Sequence, residues 1–118
     1  MTAAPVTQNT VVRYIRDLDE SGGLSGTDIA NFTGVSKSTV NRWANGVIAP
    51  KPEAQLFLSD LHYIVQRLDE YYSPEEVRTW LYARHPQLDG ERAIDIILED
   101  DSARVLAILD RLDADAYL

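Results

Sequence analysis

Five polar side chains near the middle of the chain have the types and the spacing to bind nucleic acid. Arginine and asparagine can form paired hydrogen bonds with base edges in the major groove, and lysine and serine can contact phosphates. If residues 36–45 form a helix, these side chains share its outward face, and we predict that this face binds DNA. They are Ser36, Lys37, Ser38, Asn41 and Arg42. The alternative for Arg42 is a cap or an ion pair on the surface.

A helix-turn-helix is the element that would position these side chains. Ala30 is small enough to let two helices cross closely, and Gly34 can adopt the positive φ of the turn between them. Val40 and Trp43 then fall on the inward face of the second helix, so we expect the Trp43 indole in the core. The same spacing also occurs in ordinary helical hairpins, and it is the polar outward face that favours DNA binding here.

The rest of the sequence indicates further helices, and we predict an all-α fold. Apolar residues recur at helical spacing, and serine, proline and glycine mark the helix ends, as in Ser73-Pro-Glu-Glu76. No strand pattern appears, and residues 84–90 are predicted to form a loop. The predicted helices cover about 10–19, 27–32, 36–45, 53–70, a segment beginning at 73, 91–98 and 102–112. We divide the chain into a flexible N-terminus at 1–9, a helix-turn-helix DNA-binding domain at 10–50 and a second helical domain at 51–118.

Charge is distributed unevenly between the two halves. The net charge is −8, but residues 1–51 carry five basic residues against four acidic ones, whereas residues 52–118 carry six against fifteen. An N-terminal half with a net charge of +1 should bind DNA weakly, because each contacted phosphate is best matched by a cation. We therefore expect a homodimer that presents two DNA-binding heads.

Composition and motifs argue against catalysis, metal binding and a membrane location. The chain has no cysteine, which excludes disulfides, thiolate zinc sites and a thiol nucleophile. His62 and His85 have no partners at metal-ligand spacing, and no serine lies in a nucleophile motif. The N-terminus does not resemble a signal peptide, and no apolar run approaches the roughly 20 residues that span a bilayer. We expect a cytoplasmic protein that is not an enzyme and binds neither cofactor nor metal.

From Trp80 onward the sequence resembles the toxin-binding domain of the Xre/MbcA/ParS antitoxins. The matching segments are Trp80-Leu81, Leu88-Asp-Gly90, Ile94 with Ile96-Ile97, Val105-Leu-Ala-Ile-Leu109 and Tyr117. Residues 11–46 resemble the Xre-like helix-turn-helix of the same antitoxins. Three positions depart from the family's pattern. Ala93 stands where proline is common, a glycine is missing near Asp101, and Asp115 stands where a glycine precedes the final aromatic residue.

The resemblance implies an antitoxin that neutralises a RES-domain toxin, which consumes NAD. Such antitoxins block the NAD site with their C-terminal segment, so residues 113–118 would form the plug and residues 80–112 the docking surface. Residues 51–118 would then be a toxin-binding and dimerisation domain, and the helix-turn-helix would bind the promoter of the operon. The toxin-binding residues would be Trp80, Arg84, Asp113, Asp115, Ala116, Tyr117 and Leu118.

The residues leave three alternatives open. Tyr117 and Leu118 could fold back onto the helices of their own chain instead of entering a partner. The chain could be a free-standing Xre-type transcriptional regulator whose acidic half only dimerises or senses a ligand. It could also be an antitoxin whose DNA-binding half has become a scaffold, as the low charge of that half suggests.

Overall fold

A computed structural model describes residues 8–116 of the chain, and these residues form a helical fold. This confirms the predicted all-α class with an N-terminal helix-turn-helix and a C-terminal helical lobe. Within the described range no helix is long and apolar enough to cross a membrane. The helices are α1 (Gln8–Gly22), α2 (Gly26–Thr33), α3 (Lys37–Ala44), α4 (Pro52–Asp69), α5 (Pro74–Tyr82), α6 (Ala93–Leu98) and α7 (Ser102–Asp115).

The predicted absence of strands is wrong at one place, between α5 and α6. Two short strands, β1 (Arg84–His85) and β2 (Glu91–Arg92), pair antiparallel around a 3-10 turn at Pro86–Leu88. Asp89 and Gly90 close the turn with φ values of 57° and 81°. Strands of two residues are too short to show an alternating sequence pattern, so periodicity cannot predict this pairing. The same pairing moves the start of α6 from the predicted residue 91 to Ala93.

The first helix begins two residues earlier and ends three residues later than predicted. Residues 8 and 9 belong to α1, and residues 1–7 of the predicted flexible N-terminus lie outside the described range. The helix continues through Gly22 because that glycine lies against Val65 of α4, where a Cβ would come within 3.1 Å of a methyl carbon. It stops at Gly23, whose φ is 62°. The next residue, Leu24, donates its N–H to Leu18 O at 3.0 Å, which closes the helix end.

Capping residues fix the two helices of the helix-turn-helix. The Ser25 hydroxyl caps α2 by accepting a hydrogen bond from the backbone N–H of Asp28. The Asp28 carboxylate in turn accepts one from the backbone N–H of Ser25. Gly34 ends α2 with a φ of 72°, as predicted for the turn. Ser36 then caps α3, and Gly46 follows that helix with a φ of 72°, so both predicted ends are confirmed.

A single hydrophobic core joins the two halves of the sequence. Helix α1 packs against α3, α4 and α5, so it contributes to both the helix-turn-helix and the C-terminal lobe. Trp43 is 3% exposed and Val40 is 1% exposed, which confirms their inward position. The largest fully buried side chains come from both halves: Leu18, Leu24, Ile29, Leu58, Leu61, Ile64, Leu68, Leu81, Leu88, Ile94, Ile96 and Ile97.

Candidate functional site

The outward face of α3 carries the predicted DNA-binding residues. Lys37, Ser38, Asn41 and Arg42 are exposed, and within residues 8–116 neither Lys37 nor Arg42 has an ion-pair partner. Ser36 is also exposed, but its hydroxyl oxygen accepts from Thr39 N at 3.1 Å and lies 2.9 Å from the Thr39 hydroxyl. Capping therefore occupies the Ser36 side chain, while the two cations of this face stay available.

A hydrogen bond from Asn45 orients the side-chain amide of Asn41 on α3. Asn45 donates its side-chain N–H to Asn41 O at 2.9 Å and to Asn41 Oδ1 at 3.3 Å. The second of these contacts orients the Asn41 amide through its oxygen. Arg42 lies in the last turn of α3, where a cation is favoured by the helix dipole. Its position is therefore compatible both with a structural role and with a DNA contact.

Trp80 and Arg84, which the resemblance assigns to toxin binding, lie on neighbouring elements. Trp80 is half-buried at the end of α5, and its ring centroid lies 4.4 Å from that of His85. The His85 ring donates from Nε2 to Trp80 O at 2.8 Å. Arg84 is exposed on β1 and donates to Gly90 O at 3.1 Å, across the turn. Strand β1 thus contacts the Trp80 ring through His85 and carries the exposed Arg84 guanidinium.

Arg92, opposite Arg84 in the strand register, has a different role from its neighbour. Its Nε and Nη2 atoms each lie 2.8 Å from an oxygen of Asp95, so the pair is bidentate. These hydrogen bonds lower the pKa of Asp95. Arg92 is consequently neutralised at the start of α6, whereas Arg84 has no ion pair within the described part of the chain.

The end of α7 is attached to α4 by a polar cluster. Asp113 accepts from Tyr71 OH at 2.6 Å and from Arg67 Nη2 at 2.5 Å, and these contacts hold the pKa of Asp113 below its ordinary value. Arg67 also donates to Asp110 at 3.0 Å. Helix α7 therefore continues to Asp115 instead of ending at the predicted residue 112.

Past this cluster the described part of the chain ends at residue 116. Asp115 and Ala116 are exposed. Tyr117 and Leu118, the predicted tip of the plug, lie outside the described residues. Asp113 is thus the one predicted tail residue that the fold itself holds by side-chain contacts within the described range.

A third polar cluster, which sequence reasoning missed, joins the helix-turn-helix to α5. Asp28 is 7% exposed and accepts from Arg78 Nη1, from Tyr82 OH at 2.8 Å and from Ser25 N at 2.9 Å. Burial works to raise the pKa of Asp28, but the hydrogen bonds outweigh it and the pKa is lowered. Burial and the bond to Asp28 raise the pKa of Tyr82 to about 12. The capping-box pattern in the sequence identifies Asp28 as a helix-start residue. It does not indicate the partners Arg78 and Tyr82, because they lie 50 and 54 positions further along the chain.

An open groove of about 580 Å³ lies between the helix-turn-helix and the start of α4. Its floor is apolar, with Phe32, Trp43 and Phe57 among the lining residues, and Lys51 and Glu53 are its charged members. Across residues 8–116 no group of three or more histidine, aspartate or glutamate side chains has a geometry suited to a metal ion. The groove thus offers a largely apolar surface.

Two family models match separate parts of the chain, and each match begins and ends within a helix of the structure. The model for the antitoxin Xre/MbcA/ParS C-terminal toxin-binding domain matches residues 67–114, from the end of α4 to the end of α7. A helix-turn-helix model matches residues 12–54, from α1 to the start of α4.

Individual relatives are antitoxins of Mycobacterium tuberculosis.

 The cidal antitoxin MbcA of that organism is 22% identical over 104 residues, which cover 88% of this chain and 92% of MbcA. The probable cidal antitoxin Rv3188 is 33% identical over 78 residues, which cover 66% of each chain. Among solved structures, a chain from the crystal structure of the M. tuberculosis MbcT–MbcA toxin–antitoxin complex matches with a TM-score of 0.79. That match has 21% identity and covers 93% of this chain and 99% of the other, so it shows a shared fold.

The structure accounts for two departures from the family's sequence pattern. Ala93 is the first residue of α6, a position that favours proline because the missing N–H has no helical partner there. Asp100 follows α6 with a φ of 60°, a conformation that favours glycine but that aspartate tolerates. Both residues are therefore compatible with the backbone observed here. With the helix-turn-helix model and the toxin-binding domain model matched in their expected order, the chain belongs to the Xre/MbcA/ParS antitoxin family.

Proposed function

We propose that this protein neutralises a RES-domain toxin by binding it through the C-terminal lobe and blocking its NAD-consuming active site. The observation that carries the proposal is the toxin-binding domain match over residues 67–114, which ends one residue before α7 does. The named relatives are antitoxins, and this chain shares its fold with a chain of a toxin–antitoxin complex. Residues 51–118 would be the toxin-binding and dimerisation domain, and residues 10–50 the DNA-binding domain.

Two parts of the lobe would contact the toxin. Trp80 and Arg84 would dock on its surface, because a half-buried aromatic ring and an exposed guanidinium are frequent anchors of protein interfaces. Residues 113–118 would reach the active site, with Asp113 at the base, Asp115 and Ala116 in the middle, and Tyr117 and Leu118 at the tip. A pocket that binds the NAD pyrophosphate needs cations, and residues 52–118 carry fifteen acidic residues against six basic ones. Opposite charge would accelerate association of the two proteins.

We also propose that α3 binds the promoter of the operon, which would make the protein an autoregulator acting in the cytoplasm. Lys37, Ser38, Asn41 and Arg42 support this role because they share an exposed face of the second helix of the helix-turn-helix. The low charge of this half favours a homodimer, since two heads would double the number of phosphate contacts. Leu56 on α4 is 62% exposed and Leu98 on α6 is 41% exposed, which supports dimerisation through the helical part.

The decisive experiment measures NAD in cells that express the RES-domain toxin with and without this protein. We expect NAD depletion by the toxin alone and its prevention by co-expression. The same extracts report complex formation if one chain carries an affinity tag. Continued depletion in the presence of folded antitoxin would contradict neutralisation.

A free-standing transcriptional regulator is the second candidate, and the exposed polar face of α3 is the observation that favours it. A mobility-shift assay with the upstream DNA separates the two roles. Promoter binding without rescue of NAD would favour the regulator. Rescue of NAD without promoter binding would indicate an antitoxin whose helix-turn-helix serves as a scaffold.

A further inference from the structure

Side chains from the end of α4 and from the turn after it form a cluster with the last turns of α7. Arg67 lies in the last turn of α4 and Tyr71 lies two residues after that helix ends, and both contact Asp113 of α7, at 2.5 and 2.6 Å. Arg67 also reaches Asp110, one turn earlier on α7, and its guanidinium lies 5.8 Å from the centre of the Tyr63 ring. We call Arg67, Tyr71, Asp110 and Asp113 the α4–α7 clamp.

The isolated end of α7 has an unfavourable charge distribution. Its last turn contains no basic residue, and Asp113 and Asp115 lie beside the negative end of the helix dipole. The final backbone carbonyls of a helix also lack partners within the helix, which favours fraying. Arg67 supplies the missing positive charge from another helix, and its side chain is only 17% exposed. The clamp is therefore the feature that keeps the last turn of α7 helical.

We propose that Arg67 and Tyr71 are positioning residues for the inhibitory tail, an inference that rests on the proposed function. They fix the place and direction in which the chain leaves the lobe after Asp113. Residues 114–118 span about 17 Å when fully extended, so the position of their origin limits what they can reach. A tail whose origin is already ordered also loses less conformational freedom when it enters a partner's pocket.

The test compares Arg67→Gln and Tyr71→Phe with the wild-type chain in complex with the RES-domain toxin. Two quantities are measured: the dissociation constant of the complex and the NAD consumption that remains when the toxin is saturated with antitoxin. The docking surface around Trp80 is unchanged in both variants, so the complex should still form, and its dissociation constant should rise by no more than the factor by which residual NAD consumption rises. We expect residual NAD consumption to rise about tenfold for Arg67→Gln, equivalent to about 1.4 kcal/mol of lost inhibition. Tyr71→Phe, which loses one hydrogen bond, should raise it about threefold.

Arg13→Gln is the matched control because it removes the same charge from an exposed position on α1. Hydrogen exchange in the free proteins provides a readout that does not depend on the toxin. Amides of residues 113–116 should exchange faster in Arg67→Gln than in the wild type, whereas those of α4 should be unchanged.

The outcomes separate the positioning role from the proposed function. Full inhibition by both saturated variants would overturn the positioning role while leaving neutralisation intact. Failure of the wild-type chain to inhibit would overturn the proposed function itself. If Arg67→Gln unfolds the lobe, Tyr71→Phe decides alone, and its full inhibition at saturation would overturn the inference.

Discussion

At the scale of single residues, Asp28 has two structural roles. It completes the capping box that starts α2, and it accepts hydrogen bonds from Arg78 and Tyr82 of α5. The same carboxylate therefore defines a helix end and joins the helix-turn-helix to the lobe that matches the toxin-binding domain. The guanidinium of Arg78 also lies over the Tyr82 ring, 4.8 Å from its centre, which ties its two partners together.

Replacing Asp28 by asparagine should destabilise the fold. Asp28→Asn keeps the size of the side chain but removes the charge that faces Arg78, so we expect a loss of about 2 kcal/mol in the free energy of unfolding. Urea denaturation at pH 7, followed by circular dichroism, measures this change. Asp19→Asn is the control, because Asp19 is an exposed acidic residue of α1. A loss for Asp28→Asn no greater than for the control would contradict the structural role.

The pH dependence of that loss identifies its cause. The pKa of Asp28 is lower in the folded chain than its ordinary value of 3.8. Its charge therefore stabilises the fold above that ordinary value, and the stabilisation disappears as the pH falls through the folded-state pKa. The difference between the wild type and Asp28→Asn should accordingly shrink below about pH 4. A difference that stays constant with pH would indicate packing rather than charge.

The two cations on α3 should account for most of the electrostatic part of promoter binding. Changing both Lys37 and Arg42 to alanine should weaken binding and reduce the slope of log affinity against log salt concentration by about 2. Fluorescence anisotropy over a salt series measures both quantities. Arg111→Ala, on the exposed surface of α7, is the control for the loss of a cation away from α3. An unchanged salt slope in the double variant would mean that another surface contacts the phosphates.

At the scale of elements, helix ends and one hairpin determine how the lobe presents its surface. The β1–β2 pairing places Arg84 opposite Arg92, and the bond between Arg92 and Asp95 fixes the start of α6. The α4–α7 clamp fixes the other limit, at the end of α7. The proposed docking surface and the proposed plug thus begin at two anchored points of one lobe.

Removing residues 115–118 should abolish inhibition without unfolding the protein. Asp115 and Ala116 are exposed, and the contacts of Asp113 with α4 remain in the truncated chain. We expect NAD consumption by the toxin to return, with a change in unfolding free energy below about 0.5 kcal/mol. NAD assays of the co-purified complex and thermal unfolding measure the two effects. Complete neutralisation by the truncated chain would exclude the plug.

At the scale of the whole molecule, the two family domains are parts of one folded body. Helix α1 lies within the matched helix-turn-helix region but packs against α4 and α5. Its buried side chains include Val11, Ile15 and Leu18, which belong to the same core as the residues of the lobe. A change in orientation between the two domains would therefore have to disrupt that core.

A fragment of residues 51–118 should not form a stable fold. Removing α1 would expose the apolar side of α4 and α5, and each buried aliphatic side chain that is lost contributes about 2 kcal/mol. Three of them would amount to about 6 kcal/mol, comparable with the whole stability of a small domain. Urea denaturation should show no cooperative transition for the fragment, whereas residues 8–118 should unfold cooperatively. A cooperative transition of similar midpoint in both would show that the lobe is independent of α1.

The sequence alone determined the helices and the turn of the helix-turn-helix. Apolar periodicity, the Ser36 cap and the positive φ of Gly34 depend on neighbours a few residues away, so local chemistry is enough to predict them. The burial of Trp43 follows from the same periodicity. The order of motifs from Trp80 to Leu109 indicated the family, and the family models agree.

Only the tertiary structure decided how far the helices extend and which polar residues meet. Helix α7 reaches Asp115 because Arg67, 46 positions before Asp113, neutralises its acidic end. Asp28 is buried because Arg78 and Tyr82 approach it from α5. Such pairings depend on how helices pack, and packing brings together residues whose separation along the chain carries no periodic signal. Local sequence therefore specified the elements, and long-range contacts specified their ends and the surfaces between them.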